Sequence, residues 1–233
     1  MRRGFTLIET IVGLAIFLVV VLAGLESFGT ARGVFFRLRD AQEARLAALG
    51  ALDKIKADLL QAGRGLSTFL RLGLVPSLEE AADGWAFWNA ETAAFAAEDL
   101  RAGQVFIAVS GMAEAAAGRK VGFSDGGSGE IATVLESSRA GITLASPLTQ
   151  DYPAERTSIV LLRRVMISFD RPGAVLRRKV NAASSQPLVE DVADFGLVFD
   201  PPSARVEIRL EMKGKVGVHY DTAIAAKNLA LAR

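Results

Sequence analysis

The N-terminal end of the chain carries a predominantly apolar run from Phe5 to Leu25, about 21 residues long. As a helix, this run rises roughly 31 Å, which matches the hydrocarbon core of a lipid bilayer. Its only charged side chain is that of Glu9. An ionisable group that faces lipid at mid-membrane costs about 2.5 to 3.5 kcal/mol, and somewhat less near an end of the span. The run therefore predicts a membrane-spanning helix in which Glu9 needs a partner.

The residues around Glu9 follow a known processing pattern. Two arginines precede Gly4, and Gly4-Phe5-Thr6-Leu7-Ile8-Glu9 leads into the apolar run. This stretch resembles the processing motif of type IV prepilins and of the pseudopilins of type II secretion. The resemblance implies that prepilin peptidase cuts after Gly4 on the cytoplasmic side and methylates Phe5. Glu9 then becomes the fifth mature residue.

A charge pair between subunits is the predicted partner of Glu9. Cleavage leaves a positive amine at Phe5, and a like subunit shifted along the helix axis places that amine beside Glu9. A carboxylate in lipid is then neutralised only when subunits stack, so the pair guides assembly and register. The resemblance implies these partners: other pilin or minor pilin subunits, prepilin peptidase, the inner-membrane assembly platform and membrane lipid. It also implies a single-pass inner-membrane protein with a periplasmic C-terminal domain, later located in the pilus or pseudopilus at the cell surface.

The apolar run is also compatible with two ordinary kinds of targeting segment. One is a signal-anchor helix that carries a glutamate by chance. The second is a removable secretory signal, with Val21-Leu22-Ala23 as a weak cleavage site. The run is longer than the usual apolar core of a secretory signal, about 7 to 15 residues, and such a signal has no use for Glu9.

The apolar run continues into a second helical pattern. No proline occurs from Arg32 to Gln61, and an apolar stripe recurs at spacings of mostly three and four, formed by Leu38, Ala41, Ala48, Leu52, Ile55 and Leu59. Gly63 and Gly65 then predict the end of the helix. We expect a leader at residues 1–4, a transmembrane helix half at 5–31, an amphipathic half at 32–65 and a globular domain at 66–233.

The globular domain is predicted to be mainly antiparallel β structure. Runs rich in β-branched and apolar residues are separated by turn residues, and they cover Gln104–Val109, Ile131–Glu136, Gly141–Ala145, Ser158–Phe169, Val175–Val180, Gly196–Phe199 and Val206–Met212. Turns are expected at Asp125–Glu130, Asp170–Gly173 and Asp200–Ser203. Together with the long helix, these runs predict an α+β fold of the pilin type.

The segment between the helix and these strands is less regular. Leu66, Phe69 and Leu72 predict one more helical turn, and Ser77 followed by two glutamates predicts the start of a short helix. Trp85, Phe87 and Trp88 are either core-anchoring rings, which we favour, or an exposed partner-binding patch. The stretch 77–103 is acidic and the stretch 156–179 is basic, so stacked subunits could set one patch against the other.

Composition and motifs favour a structural role over catalysis. The 27 basic and 26 acidic side chains nearly balance, so no bulk affinity for nucleic acid is expected. The sequence contains no cysteine, and His219 is its only histidine. It contains no nucleophile elbow, HExxH or P-loop motif, and we expect a protein that is not an enzyme and needs no cofactor. The glycine-rich turn at 125–130 lacks EF-hand spacing, so no residue pattern identifies a metal site, although some pseudopilins bind calcium.

Looser similarities suggest the subfamily. Major pilins of type IVa commonly carry proline at about the twenty-second mature residue, where this chain has Glu26. The helix end Asp58–Gly63 is similar to both W-type minor pilins and J-type minor pseudopilins, and the ending Thr222–Asn228 looks more like the W-type. The resemblance implies a minor, initiating or accessory subunit of a type IV pilus. A J-type pseudopilin of type II secretion is the first alternative, and a signal-anchored periplasmic enzyme or binding domain is the second.

Overall fold

One long helix runs through the N-terminal quarter of the chain. The computed structural model describes residues 7–76, 78–82, 84–109, 112, 115–214 and 218–231. Within them, helix α1 (Leu7–Gln61) is continuous, as the absence of internal proline predicts. It ends two residues before Gly63, which has a φ of 74° and whose N–H donates to Trp88 O at 2.7 Å.

The chain divides into two compact units, Met1–Leu46 and Ala47–Arg233. The described part of the first unit is the start of α1, and its residues are largely exposed. The second unit contains the rest of α1 and the β domain. The predicted domain boundaries at residues 4, 31 and 65 stay predictions.

The second unit is built mainly from antiparallel strands. A short helix α2 (Ser67–Arg71) follows α1, as predicted. The strands are β1 (Glu79–Ala81), β2 (Gly84–Phe95), β3 (Phe106–Ala108), β4 (Lys120–Ser124), β5 (Gly129–Ser138), β6 (Gly141–Leu144), β7 (Ser158–Asp170), β8 (Val175–Val180), β9 (Gln186–Val189), β10 (Val192–Asp200), β11 (Arg205–Met212) and β12 (Val218–Ala225). Short 3₁₀ turns lie at Ala154–Arg156 and Lys227–Leu231. The predicted α+β class is confirmed.

Two antiparallel sheets share these strands. The larger has nine strands in the order β1-β2-β7-β4-β5-β6-β3, with β8 on β7 and β9 on β8. Because β2 pairs along one edge of β7, strands β4 and β8 share the other edge: β4 lies against Ser158–Leu161 and β8 against Val165–Asp170. The smaller sheet has the order β10-β11-β12.

The main core lies between the end of α1 and the two sheets. Ala48, Leu52, Ile55 and Leu59 are all buried there, so the predicted apolar stripe is confirmed for these four residues. They pack in one cluster with residues of both sheets, including Phe87, Val165, Ile167, Leu176, Val206, Ile208 and Leu210. Leu38 and Ala41, the first members of the predicted stripe, belong to the first unit and are exposed.

A buried ion pair ties α1 to the larger sheet. Arg178 on β8 donates from Nε to Asp58 Oδ2 at 2.5 Å and from Nη2 to Asp58 Oδ1 at 2.9 Å. The two side chains are only 12% and 7% exposed, respectively. A two-pronged arginine–carboxylate contact of this kind sets both the distance and the orientation of the elements that carry it.

Three predicted turns are confirmed. Asp170–Gly173 connects β7 to β8, and Asp200–Ser203 connects β10 to β11. Between β4 and β5, Asp125 Oδ1 accepts hydrogen bonds from the N–H groups of Gly127 at 2.9 Å and Ser128 at 2.7 Å. These N–H groups, that of Ser128 first, lower the pKa of Asp125 because they stabilise its charged form.

The short helix expected from Ser77 is wrong for its described part. Glu79 lies in β1 and pairs with Ala86 across a hairpin to β2. Its carboxylate also receives a hydrogen bond from Arg164 Nη2 at 3.2 Å. Strand pairing and this ion pair outweigh the local signal of a serine followed by acidic residues, because helix propensity is a weak preference that tertiary contacts override.

The three aromatic residues of β2 confirm the core-anchoring interpretation. Phe87 is fully buried in the main core, and Trp85 packs partly buried against the same cluster. Trp88 points to the other face of the sheet, as alternation along a strand requires, and packs against the cluster that contains Phe69 of α2.

We predict that Arg178→Gln lowers the free energy of unfolding by about 3 to 5 kcal/mol, because it leaves the buried Asp58 carboxylate without its counter-charge. Arg177→Gln is the matched control: Arg177 pairs with Asp170 at 3.5 Å in a partly exposed position, and its loss should cost below about 1 kcal/mol. Chemical denaturation of the detergent-solubilised full chain, followed by near-ultraviolet circular dichroism, measures both.

The double variant Asp58→Leu/Arg178→Met should recover most of the loss, since no uncompensated charge then remains buried. Equal destabilisation by Arg178→Gln and Arg177→Gln would show that the ion pair has no special role.

Candidate functional site on the N-terminal helix

The first described turns of α1 present an uncovered apolar surface. Every residue from Leu7 to Leu25 is exposed, with exposed fractions among the large apolar side chains that range from 40% at Val21 to 80% at Leu7. Within the described part of the chain, α1 is the one helix that is long and apolar enough to cross a membrane. Such a surface is stable only against lipid or against other apolar helices.

Glu9 lies in the first turn of this helix. The first-turn N–H groups and the positive end of the helix dipole favour a carboxylate there by about 0.3 to 1 kcal/mol. A carboxylate that faces lipid at mid-membrane costs about 2.5 to 3.5 kcal/mol, so the helix end alone does not offset that cost. Glu26, the next acidic residue, lies about 26 Å further along the helix and so near the opposite end of the apolar run.

The predicted processing residues Gly4 and Phe5 lie outside the described residues. The cleavage after Gly4, the methylation of Phe5 and the assembly role of Glu9 therefore stay predictions. Of the three residues Gly4, Phe5 and Glu9, the structure describes Glu9, which lies in the first turn of a continuous helix with its side chain exposed.

Four glycines in the first half of α1 do not interrupt the helix, although each lowers helix propensity relative to alanine. α1 runs unbroken through Gly13, Gly24, Gly29 and Gly33. A Cβ built at any of them meets no atom within 4 Å. Bare backbone of this kind lets a second helix approach closely, which is how small residues act at helix interfaces in membranes.

The β domain places His219 on a strand surface. His219 Nε2 lies 2.8 Å from Asp221 Oδ2, and the two side chains are 46% and 61% exposed. The hydrogen bond from His219, with a weaker one from Arg209, lowers the pKa of Asp221. Among the described residues, no group of three or more histidine, aspartate or glutamate side chains could hold a metal ion.

The two predicted charge patches are partly paired within the chain. Strands β2 and β7 are neighbours, and Glu79 binds Arg164 across this part of the sheet. Arg177 binds Asp170, and Arg178 is the buried partner of Asp58. These three arginines therefore do not offer free charge to a second subunit. Substituting glutamate for both Arg177 and Arg178 would break these intramolecular ion pairs. Such a variant would therefore test folding rather than partner binding.

Comparison with known proteins bears on the N-terminal segment. Residues 1–25 match the family described as the prokaryotic N-terminal methylation motif. The chain carries a type IV prepilin-like signal. No curated protein and no solved structure matches the chain. The match supports a type IV pilin-like or pseudopilin-like protein at its N-terminal segment, and it implies processing by prepilin peptidase and assembly with other pilins.

One feature of the prepilin-like helix was missed from the sequence. The Arg32 guanidinium carbon lies 5.4 Å from the centre of the Phe36 ring. The signal was the spacing of four between an arginine and a phenylalanine, which places both on one helix face.

We predict that prepilin peptidase shortens the chain by Met1–Gly4 and adds one methyl group at Phe5. Intact-mass and N-terminal analysis of the full chain, expressed with and without the peptidase, measures both changes. Gly4→Val should leave the chain at its full mass even with the peptidase present, because the motif requires glycine before the cut. Removal of a longer segment that ends near Ala23 would instead indicate a secretory signal.

Proposed function

We propose that this protein is a minor subunit, initiating or accessory, of a type IV pilus. It is inserted in the inner membrane with its β domain in the periplasm, is processed by prepilin peptidase, and then enters or primes the helical fibre. The methylation motif at residues 1–25 carries the proposal, since it joins a processing signal to a helix that can span the membrane. The exposed apolar surface of Leu7–Leu25 supports it, because a fibre can bury that surface among like helices.

The proposed mechanism is structural and not catalytic. In the membrane, the apolar half of α1 anchors the subunit. On assembly, the N-terminal amine at Phe5 of one subunit neutralises Glu9 of another, and apolar contact between helices supplies most of the remaining stability. The β domain selects neighbouring subunits through its outer surface. No enzymatic activity, cofactor or nucleic-acid partner belongs to this proposal.

Two observations favour a minor subunit. Glu26 stands where major pilins of type IVa commonly have a proline, and α1 is continuous through this position. The helix also carries four open glycines before Ala47, at positions 13, 24, 29 and 33, which provide flexibility without a fixed kink. A J-type pseudopilin of type II secretion is the alternative within the family. A secretion defect with normal pili in a deletion strain would favour that alternative.

We predict that Glu9→Ala is processed normally but is depleted from sheared fibres by at least about tenfold, the effect of losing roughly 1.4 kcal/mol at each subunit contact. Glu26→Ala is the matched control, because it removes the other acidic residue that precedes Arg32 and should leave incorporation unchanged. Quantitative immunoblotting of sheared fibres against membrane fractions measures the ratio.

Normal incorporation of Glu9→Ala would contradict the charge-pair mechanism. Normal function without prepilin peptidase would contradict the fibre proposal as a whole and favour a signal-anchored periplasmic protein.

A further inference from the structure

We propose that α1 carries a collar that binds anionic phospholipid headgroups at the point where the helix leaves the bilayer. The collar consists of Phe28, Arg32, Phe35, Phe36 and Arg37, and all five side chains are exposed. The inference rests on the proposed function only in requiring that the unassembled subunit is inserted in a membrane. Its partner is the lipid surface and not a second protein.

The collar combines three aromatic rings with two arginines, one of which lies over a ring. Phe35 and Phe36 pack edge to face with ring centres 6.0 Å apart, and the Arg32 guanidinium lies over the Phe36 ring. Arg37 Nε donates to Gly33 O at 3.1 Å, one turn back along the helix. The Arg37 side chain therefore leans towards the apolar run. Long cationic side chains adopt this orientation when they cover apolar surface while the charge stays at the polar boundary.

Helix geometry places the collar at the depth of the headgroups. For a tilt of about 30°, each residue climbs roughly 1.3 Å along the membrane normal, and a hydrocarbon core of about 30 Å takes up some 23 residues. A span that starts at Phe5 then ends near Ser27. Phe28 lies at the boundary and Arg32 about 6 Å beyond it, within the headgroup layer of one leaflet.

Insertion orientation does not account for the arginines. The positive-inside rule counts arginine and lysine on the short flanks of a span, and acidic residues contribute little to it. The leader carries two arginines, whereas the flank after the span carries four, at positions 32, 37, 39 and 45. The four arginines lie on the exported side in the proposed topology, so the positive-inside rule does not explain why they are there.

Phosphate binding is compatible with the ion pairing of the arginines that follow the span. Arg39 forms an ion pair with Glu43 at 2.7 Å and is therefore left out of the collar. In the parts of the chain that the structure describes, no carboxylate forms an ion pair with Arg32 or Arg37. The planar fork of arginine matches the oxygen geometry of phosphate, and apolar phenylalanine rings can be buried at the boundary between headgroups and acyl chains.

Lipid selectivity of the full chain tests the collar. The chain is reconstituted in vesicles of phosphatidylcholine, and electron paramagnetic resonance compares the association of spin-labelled phosphatidylglycerol and spin-labelled phosphatidylcholine. We expect a preference for phosphatidylglycerol that falls as salt is raised. Arg32→Gln/Arg37→Gln should reduce the preference by up to about fivefold for each arginine removed.

Arg45→Gln/Lys54→Gln is the charge-matched control, since it also removes two positive charges from exposed helix positions but lies beyond the collar. It should retain the preference. Equal selectivity for the two lipids in the unaltered chain, or equal losses in both double variants, would overturn the proposal. So would displacement of the preference by free inorganic phosphate at constant ionic strength, which would indicate a site for soluble anions.

The salt titration of the unaltered chain keeps the proposal testable if a variant fails to insert. Failure of the lipid-binding proposal can also be distinguished from failure of the fibre proposal. The collar variant should be processed at Gly4 and should enter fibres, whereas Glu9→Ala should show full lipid selectivity and the depletion from fibres predicted above.

Discussion

The contact between Asp58 and Arg178 is the interaction on which the β domain depends. It joins the last turns of α1 to β8, and both side chains are nearly inaccessible to water. Apolar contacts between a helix and a sheet are not directional, so Leu52, Ile55 and Leu59 alone would tolerate small rotations and slides of α1. Two hydrogen bonds to one carboxylate remove that freedom, because burial penalises any arrangement that leaves either charge unpaired.

The same physical problem occurs twice along α1 and has two different solutions. Asp58, near the end of the helix, is a buried carboxylate, and Arg178 of the same chain supplies its counter-charge. Glu9, in the first turn, lies in a stretch suited to lipid, and in the proposed mechanism its counter-charge comes from another subunit after proteolysis. An intramolecular pair stabilises a fold, whereas an intermolecular pair makes a charged group in the membrane a condition of assembly. Between these two positions, the aromatic and arginine residues of the collar mark the proposed exit of the helix from the bilayer.

Periodicity and turn chemistry predicted most of the local structure. α1, α2, the turns at Asp170 and Asp200 and the strands from β5 to β8 are recognisable because each combines a clear repeat with a terminating glycine, proline or aspartate. β1 was predicted as helix, and β2, β4, β9 and β12 were not among the predicted strands. In β2 a buried Phe87 is followed by a half-buried Trp88 and a buried Asn89. Both faces of the sheet are covered there, so the alternation of apolar and polar residues that marks a half-buried strand is lost.

For the candidate site, the sequence by itself determined the processing signal, the apolar span and the position of Glu9, because each depends only on the order of neighbouring residues along one helix. Tertiary structure alone decided which charges are available. Arg164, Arg177 and Arg178 belong to one basic stretch in the sequence, yet each has a carboxylate partner that strand pairing or helix packing brings near, 120 residues away for Arg178. The sequence did not reveal these pairs, because Coulomb interactions depend on distance and burial in the folded chain and not on separation along it.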